Sequence, residues 1–362
     1  MVRRKVTWVF LVAALGMCLV GTMVAGCAGA QQAQQPAQQQ QQKPAEPPKP
    51  KYPERPINMI VGFPAGGPTD LLARGMADAM QKRLGQPVTV TNMAGASGSV
   101  GANHVLGQAA DGYTLFFGSE ALSVLKVMDV ADINWDSFEV IGLAARATPA
   151  LVVPANSKYN TVQDLVKATQ ANPEKIVMST AGPGTVPHVC GSMLQKHAGA
   201  KFKFVPMQGG AGAISAVLGG QADCTIEMIQ SLADHVKAGR LKMLAVFTNE
   251  TFPGFEKVTP IGTVYQAMKP MLPYGPYFGV FARKGTPSEV VQILKTTVKE
   301  IVTSADWKAY CEKLYCEALP LFEQDATKYL GDWTSQTVWL MWETGVAKKS
   351  PEQFGIPKPQ AK

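Results

Sequence analysis

The chain has 362 residues, 46% of them hydrophobic and 17% charged, with a formal net charge of +7. Three of those cations precede the first apolar run and residues 6–55 hold a net two more, leaving about +2 on the rest. That balance excludes the basic footprint of a nucleic-acid-binding protein, and no second apolar stretch long enough to span a membrane follows the first.

Arg3, Arg4 and Lys5 precede an apolar run from Val6 to Val24, and small residues then lead to Cys27. A basic start, an apolar centre and a small-residue end form an export signal over residues 1–26. Val24-Ala25-Gly26-Cys27 is similar to a bacterial lipobox, whose Cys is acylated and becomes the first residue of the mature protein. More than one acyl chain on Cys27 makes a stable anchor in the bilayer. Residues 27–55, rich in Gln, Ala and Pro, hold almost no large apolar side chains, so they read as a disordered tether.

The folded part is organised around Met59–Asp70, MIVGFPAGGPTD. An apolar run to Gly62 predicts a buried strand, and apolar residues at helical spacing from Leu71 predict a helix stopping at Gly85. Between them Gly66 and Gly67 permit a sharp turn, and Thr69 and Asp70 are helix-capping types. Such a loop presents backbone N–H groups, backed by the helix dipole, to an anion. No Lys follows the glycines, so this is not a nucleotide-binding P-loop.

The same joint recurs. Strands at Val88–Thr91, Tyr113–Phe117, Ile176–Ser179 and Phe202–Pro206 each run into a small-residue loop and then a helical stretch. The loops are Asn92–Gly101, Gly118-Ser119-Glu120, Thr180–Thr185 and Met207–Gly212. Alternation at this spacing implies an α/β fold of parallel βαβ units, whose loops gather on one sheet edge. Several N–H donors on one crevice suit a carboxylate.

The run PERPINMIVGFPAGGPTDLLARGMADAMQKRLGQPVTVTNMAGASGSVGANHV resembles the start of a solute-binding protein of the tripartite tricarboxylate transporter system, the Bug family. The resemblance continues through STAGPGTVPH, VPMQGG, LGGQAD and GVFARKGTP. It implies a two-domain, type II periplasmic-binding-protein fold, hinged, with the ligand in the interdomain cleft. Residues 56–146 and 278–350 would form a discontinuous first domain, residues 147–277 the second, and residues 351–362 a loose tail. It also implies a function: capture of a small carboxylic acid outside the cytoplasm and delivery to membrane permease subunits, by a monomer with no cofactor, metal or catalytic residue. The alternative is a ligand-sensing lipoprotein docked on a signalling receptor.

Carried onto this sequence, the resemblance places Phe63, Ala65, Gly66, Gly67, Thr69, Asp70 and Ser119 against the ligand from the first domain. Thr180, Gly182, Gly184, Thr185, His188, Gly209 and Gly210 would meet it from the second, with Tyr274 and Tyr277 at the crossing between domains. The chain departs from the family pattern at Ala65 and at Pro68, which removes one donor. Glu120 beside the cleft is open to two readings: a receiver for a cationic group on the ligand, or a solvated acid favoured by a helix start.

His188 and Cys190 are two apart on a helix and do not face each other, and neither Gly-x-Ser-x-Gly nor HExxH occurs, so nothing points to an enzyme. Cys190 with Cys224, and Cys311 with Cys316, are open as disulfides or as buried thiols. Tyr329, Trp333, Trp339 and Trp342 at helical spacing predict the packing face of a terminal helix.

Overall fold

The computed structural model describes residues 51–359; the export signal, Cys27 and most of the tether lie outside them. In chain order the first elements are β1 (Ile57–Val61), α1 (Pro68–Leu84), β2 (Val88–Asn92), α2 (Ser99–Gly107), β3 (Thr114–Ser119), the single turn α3 (Ala121–Val124) and β4 (Phe138–Ala147). The chain then makes β5 (Pro149–Pro154), α4 (Val162–Ala171), β6 (Val177–Thr180), α5 (Val186–Ala198), β7 (Lys203–Pro206), α6 (Gly209–Leu218) and β8 (Cys224–Met228). After these come α7 (Ile229–Lys237), β9 (Leu241–Val246), β10 (Thr259–Pro260) and α8 (Ile261–Val264). It closes with β11 (Tyr277–Arg283), α9 (Ser288–Val302), α10 (Ala305–Lys313), β12 (Cys316–Ala318) and α11 (Glu323–Glu343).

The strands form two six-stranded sheets, ordered β12-β4-β11-β3-β1-β2 and β10-β9-β5-β8-β6-β7. In each, three parallel strands are followed by one antiparallel strand that arrives from the other sheet: β11 beside β3, and β5 beside β8. Both lobes therefore share one winding, the type II arrangement. β1 is a nearly unbroken apolar run because helices cover both faces of a parallel strand. On α1 the residues Leu72, Met76 and Met80 are fully buried, each contributing roughly 1.5–3 kcal/mol. The helix ends where Gly85, at φ 69°, turns its N–H back to the Gln81 carbonyl.

The chain passes between sheets at Thr148 and again at Gly275-Pro276. There the Ala147 N–H donates to the Pro276 carbonyl at 3.0 Å, tying the two passages together. α11 packs on β4 and also reaches α5, where Lys196 pairs with Glu343. Among the described residues no helix is long and apolar enough to cross a membrane.

One expectation is corrected here, and one left open is decided. Residues 351–359 are not loose: Trp339 Nε1 donates to the Ile356 carbonyl at 3.1 Å and Ser335 to the Pro357 carbonyl at 2.6 Å, so the segment straps α11. The aromatic face that packs the helix also holds the tail. The four cysteines are buried free thiols, and neither pairing is made. Cys224 points to the Val177 carbonyl at 3.8 Å and Cys316 to the Leu314 carbonyl at 3.5 Å, each sulfur filling its own pocket.

Candidate functional site

The loops after β1, β6 and β7 each feed a helix whose first turn is not capped by a side chain: α1 from Gly67, α5 from Thr185 and α6 from Gln208. Their leading N–H groups have no partner within the helix. All three first turns meet at one cavity of about 450 Å³, through Thr69, Thr185, Val186, Gly209 and Gly210. A larger concavity of about 840 Å³ lies away from every one of these loops, between Phe252–Gly254 and Val302–Ser304. The loop-lined cavity is the candidate site.

Of the residues expected at the ligand, Phe63, Thr69, Ser119, Glu120, Gly184, Thr185, Gly209 and Gly210 line this cavity. Ala65, Gly66, Gly67, Asp70, Thr180, Gly182, His188 and Tyr277 do not; Ala65 and Gly66 are exposed to solvent, and Asp70, Thr180 and Tyr277 are buried. Asp70 is buried and accepts from the Gly66 N–H at 2.8 Å, from Asn92 at 2.9 Å and from Arg74 at 3.0 and 2.9 Å. Burial alone would raise its pKa, but those bonds outweigh it and hold the carboxyl below the usual range. It shapes the loop from beneath. Thr185 donates to the Gly182 carbonyl at 2.8 Å, and Thr180 is buried.

His188 is a correction. Its Nδ1 accepts from the Gly184 N–H at 3.3 Å and its ring meets Phe204 edge-on at 4.8 Å, so it braces the loop from outside. Burial lowers its pKa, favouring the neutral ring that accepts this bond. Tyr277 is another correction: it is fully buried and its hydroxyl bonds Ser123 at 2.7 Å. The last expected glycine-rich loop is shorter than its sequence suggests, because Gly209 onwards already forms α6.

The reading of Glu120 as a solvated helix-start acid is also corrected. It begins α3, yet is half-buried on the cavity wall, and burial pushes its carboxyl up to about 7. A second acid was missed: Glu227, on β8, lines the same cavity at 6% exposure. Burial pushes it up to about 8, and its Oε1 has no hydrogen-bond partner. The sequence signal was a lone charge inside the otherwise uncharged strand CTIEM. Trp333 packs as expected, stacking on Tyr274 with centroids 5.5 Å apart and donating to the Gly275 carbonyl at 3.0 Å. Tyr274 lines the cavity, as its place at the crossing suggests, and so does Trp333, which its helical spacing does not reveal. Among the described residues no cluster of three or more His, Cys, Asp or Glu is placed to hold a metal.

The site offers a small polar solute the N–H groups of three helix starts together with aromatic and acidic side chains on the same wall. Comparison with known proteins agrees with that class. Residues 72–345 match the family model described as the tripartite tricarboxylate transporter family receptor. A protein from the tcbD-tcbE intergenic region of Pseudomonas sp. strain P51 is 32% identical over 255 residues, covering 70% of this chain and 75% of its own. The structure of the periplasmic binding protein BugD superposes with a TM-score of 0.69 at 28% identity, over 82% of this chain and 100% of that one. R. palustris Rpa4515, solved with adipate, superposes with a TM-score of 0.72 at 25% identity, over 82% of this chain and 99% of that one. The chain therefore belongs to the tripartite tricarboxylate transporter receptor family, periplasmic solute-binding proteins of the Bug type.

Proposed function

We propose that this protein is a lipid-anchored receptor that captures a small organic carboxylate in the cleft and hands it to the membrane subunits of a tripartite tricarboxylate-type transporter. The observation that carries the reading is the convergence of three uncapped helix starts, α1, α5 and α6, on one cavity of about 450 Å³. Partial positive charge at helix N-termini favours an anion there without a cationic side chain. Adipate in the related R. palustris protein is a carboxylate of the size this cavity admits. Because the N–H groups come from both lobes, ligand held between them favours the closed state through contacts that the open state lacks. Cys27 supplies the anchor, and residues 27–55 the reach between bilayer and folded part.

The test is a thermal-shift screen of the full chain in detergent against carboxylic acids of four to eight carbons and their amides. A ligand at a hundred times its dissociation constant adds about 2.7 kcal/mol of stability, which is read as a raised midpoint. A shift from acids and not from amides is the expected result. No shift from any acid, with no ligand co-purified, would sink solute capture. An intact mass of the purified protein that lacks acyl chains on Cys27 would sink the anchor.

A further inference from the structure

Glu227 stands at one of the helix starts that would hold an anion. It projects from the end of β8 against the start of α6, and Gly210 leaves it room: a β-carbon there would fall 2.7 Å from Glu227 Oε2. A larger residue at position 210 would displace the carboxyl. The side chain lines the cavity at 6% exposure, and its buried Oε1 has no hydrogen-bond partner. As a carboxylate it would compete with the ligand for the partial positive charge at α6.

Nothing on the protein offsets such a charge. Among the described residues no Lys, Arg or His lines the cavity. Of the elements packed on β8, β5, β6 and α6 bring no titratable side chain, and α7 brings Asp234, His235 and Lys237 only towards its far end. On α5, His188 meets Phe204, Lys196 pairs with Glu343, and His197 lies with Lys196 on a different concavity. Cys190 of α5 does face Glu227, and its thiol is pushed up by burial and then by the Glu227 charge. Across the cavity burial likewise pushes the Tyr274 hydroxyl up, and Glu120 is raised by burial with no contribution from Glu227. An ion without an opposite charge in a dry place is disfavoured, so the carboxyl keeps its proton. Burial pushes it up to about 8, the Met228 N–H opposing with less effect. Protonated, Glu227 is a hydrogen-bond donor beside a helix start.

We infer that Glu227 meets the ligand as a neutral carboxylic acid and donates its O–H to the ligand's carboxylate, so that each anion captured fixes one proton on the receptor. This rests on the solute-capture reading above and adds a proton to it as a second ligand. No covalent bond changes: the proton stays on Glu227 and, where the free carboxyl has lost it, returns from solvent. An O–H donated to an anion makes a short, charge-assisted bond, and it replaces a repulsion. Because binding favours the protonated form, affinity is complete below the pKa of the free carboxyl and falls about tenfold per pH unit above it.

The experiment titrates the full chain with adipate and with succinate at pH 7.5 and pH 9.5, where both acids are fully ionised. For an acid that binds, the dissociation constant is at least tenfold higher at pH 9.5. Calorimetry at pH 8.5, in buffers of different ionisation enthalpy, reads more than half a proton taken up per ligand. In Glu227→Gln, whose amide donates at every pH, the dissociation constant changes less than threefold over the window and no proton is taken up. Without ligand at pH 6.5, the infrared difference between wild type and variant shows the C=O stretch of a protonated carboxyl, lost at pH 9.5. A wild-type affinity level across the window overturns the inference whether or not the variant folds, and leaves solute capture standing. A fall that persists in Glu227→Gln overturns it by assigning the proton to another group. So does an ionised Glu227 in the infrared at pH 6.5. Binding of neither acid overturns it too, and solute capture then stands or falls with the wider acid screen.

Discussion

Asp70 sets the shape of the first loop without touching the cavity. Its carboxylate gathers the Gly66 N–H, Asn92 and Arg74 under the turn that starts α1, and Asn92 Nδ2 also donates to the Phe63 carbonyl at 3.0 Å. Replacing it by Asn keeps the size but removes the charge these donors bond. Asp70→Asn should cost about 1–3 kcal/mol, read as a lower unfolding midpoint at pH 7. The folded pKa lies below the unfolded one, so the contribution is complete above the ordinary Asp range and disappears as pH falls through the folded value. The difference between wild type and variant therefore closes in strong acid; a gap that persists there would refute the role. The capping that Thr69 and Asp70 suggest is not made: α1 starts from Gly67 with no side-chain cap, and Asp70 reaches back to the Gly66 N–H instead. That the carboxylate faces inward and not toward a ligand depends on Asn92, twenty-two residues on, and no local pattern carries that.

Between elements, one hydrogen-bonded chain locks the first lobe behind the site. Trp135 Nε1 donates to Thr334 Oγ1 at 3.1 Å, Thr334 donates to Ser123 at 2.8 Å, and Ser123 bonds the Tyr277 hydroxyl at 2.7 Å. The chain links α11, α3 and β11 in the dry interior, where each hydroxyl has an alternative only in being left unbonded. Tyr277→Phe keeps the ring against Trp333, at 5.5 Å between centroids, and removes the last link. It should lower stability by about 1 kcal/mol and leave ligand affinity within twofold. A tenfold affinity loss with an unchanged midpoint would return Tyr277 to the ligand. The strands and helices themselves were readable from period and punctuation, as at α1 with its stop at Gly85. The inward turn of Tyr277 was not, because a strand residue's face follows from the neighbours it pairs with.

At the scale of the molecule, function depends on the place where the chain crosses between sheets twice. Gly275 is pressed there: a β-carbon on it would fall 2.0 Å from the Ala147 carbonyl oxygen. Its own carbonyl accepts the Trp333 indole at 3.0 Å, so the passage is held from the cavity side as well. Gly275→Ala must part the two crossings, which should cost about 1–3 kcal/mol or more and weaken ligand binding, since closure brings these same segments together. Calorimetric unfolding and titration of the variant check both effects, and an unchanged midpoint would show that the crossing yields freely. By itself the sequence determined the α/β class, the family and the run of glycine-bearing loops that precede helices. Turn residues, helix stops and strand runs act over a few positions and need no partner. Only the tertiary structure decided which of those loop residues face the cavity, that His188 leans on Phe204, that the cysteines stay apart, and that Glu227 and Trp333 join the wall. Those outcomes are settled by packing between elements that meet only in the fold, where burial and the competition for hydrogen-bond partners leave no mark in local order.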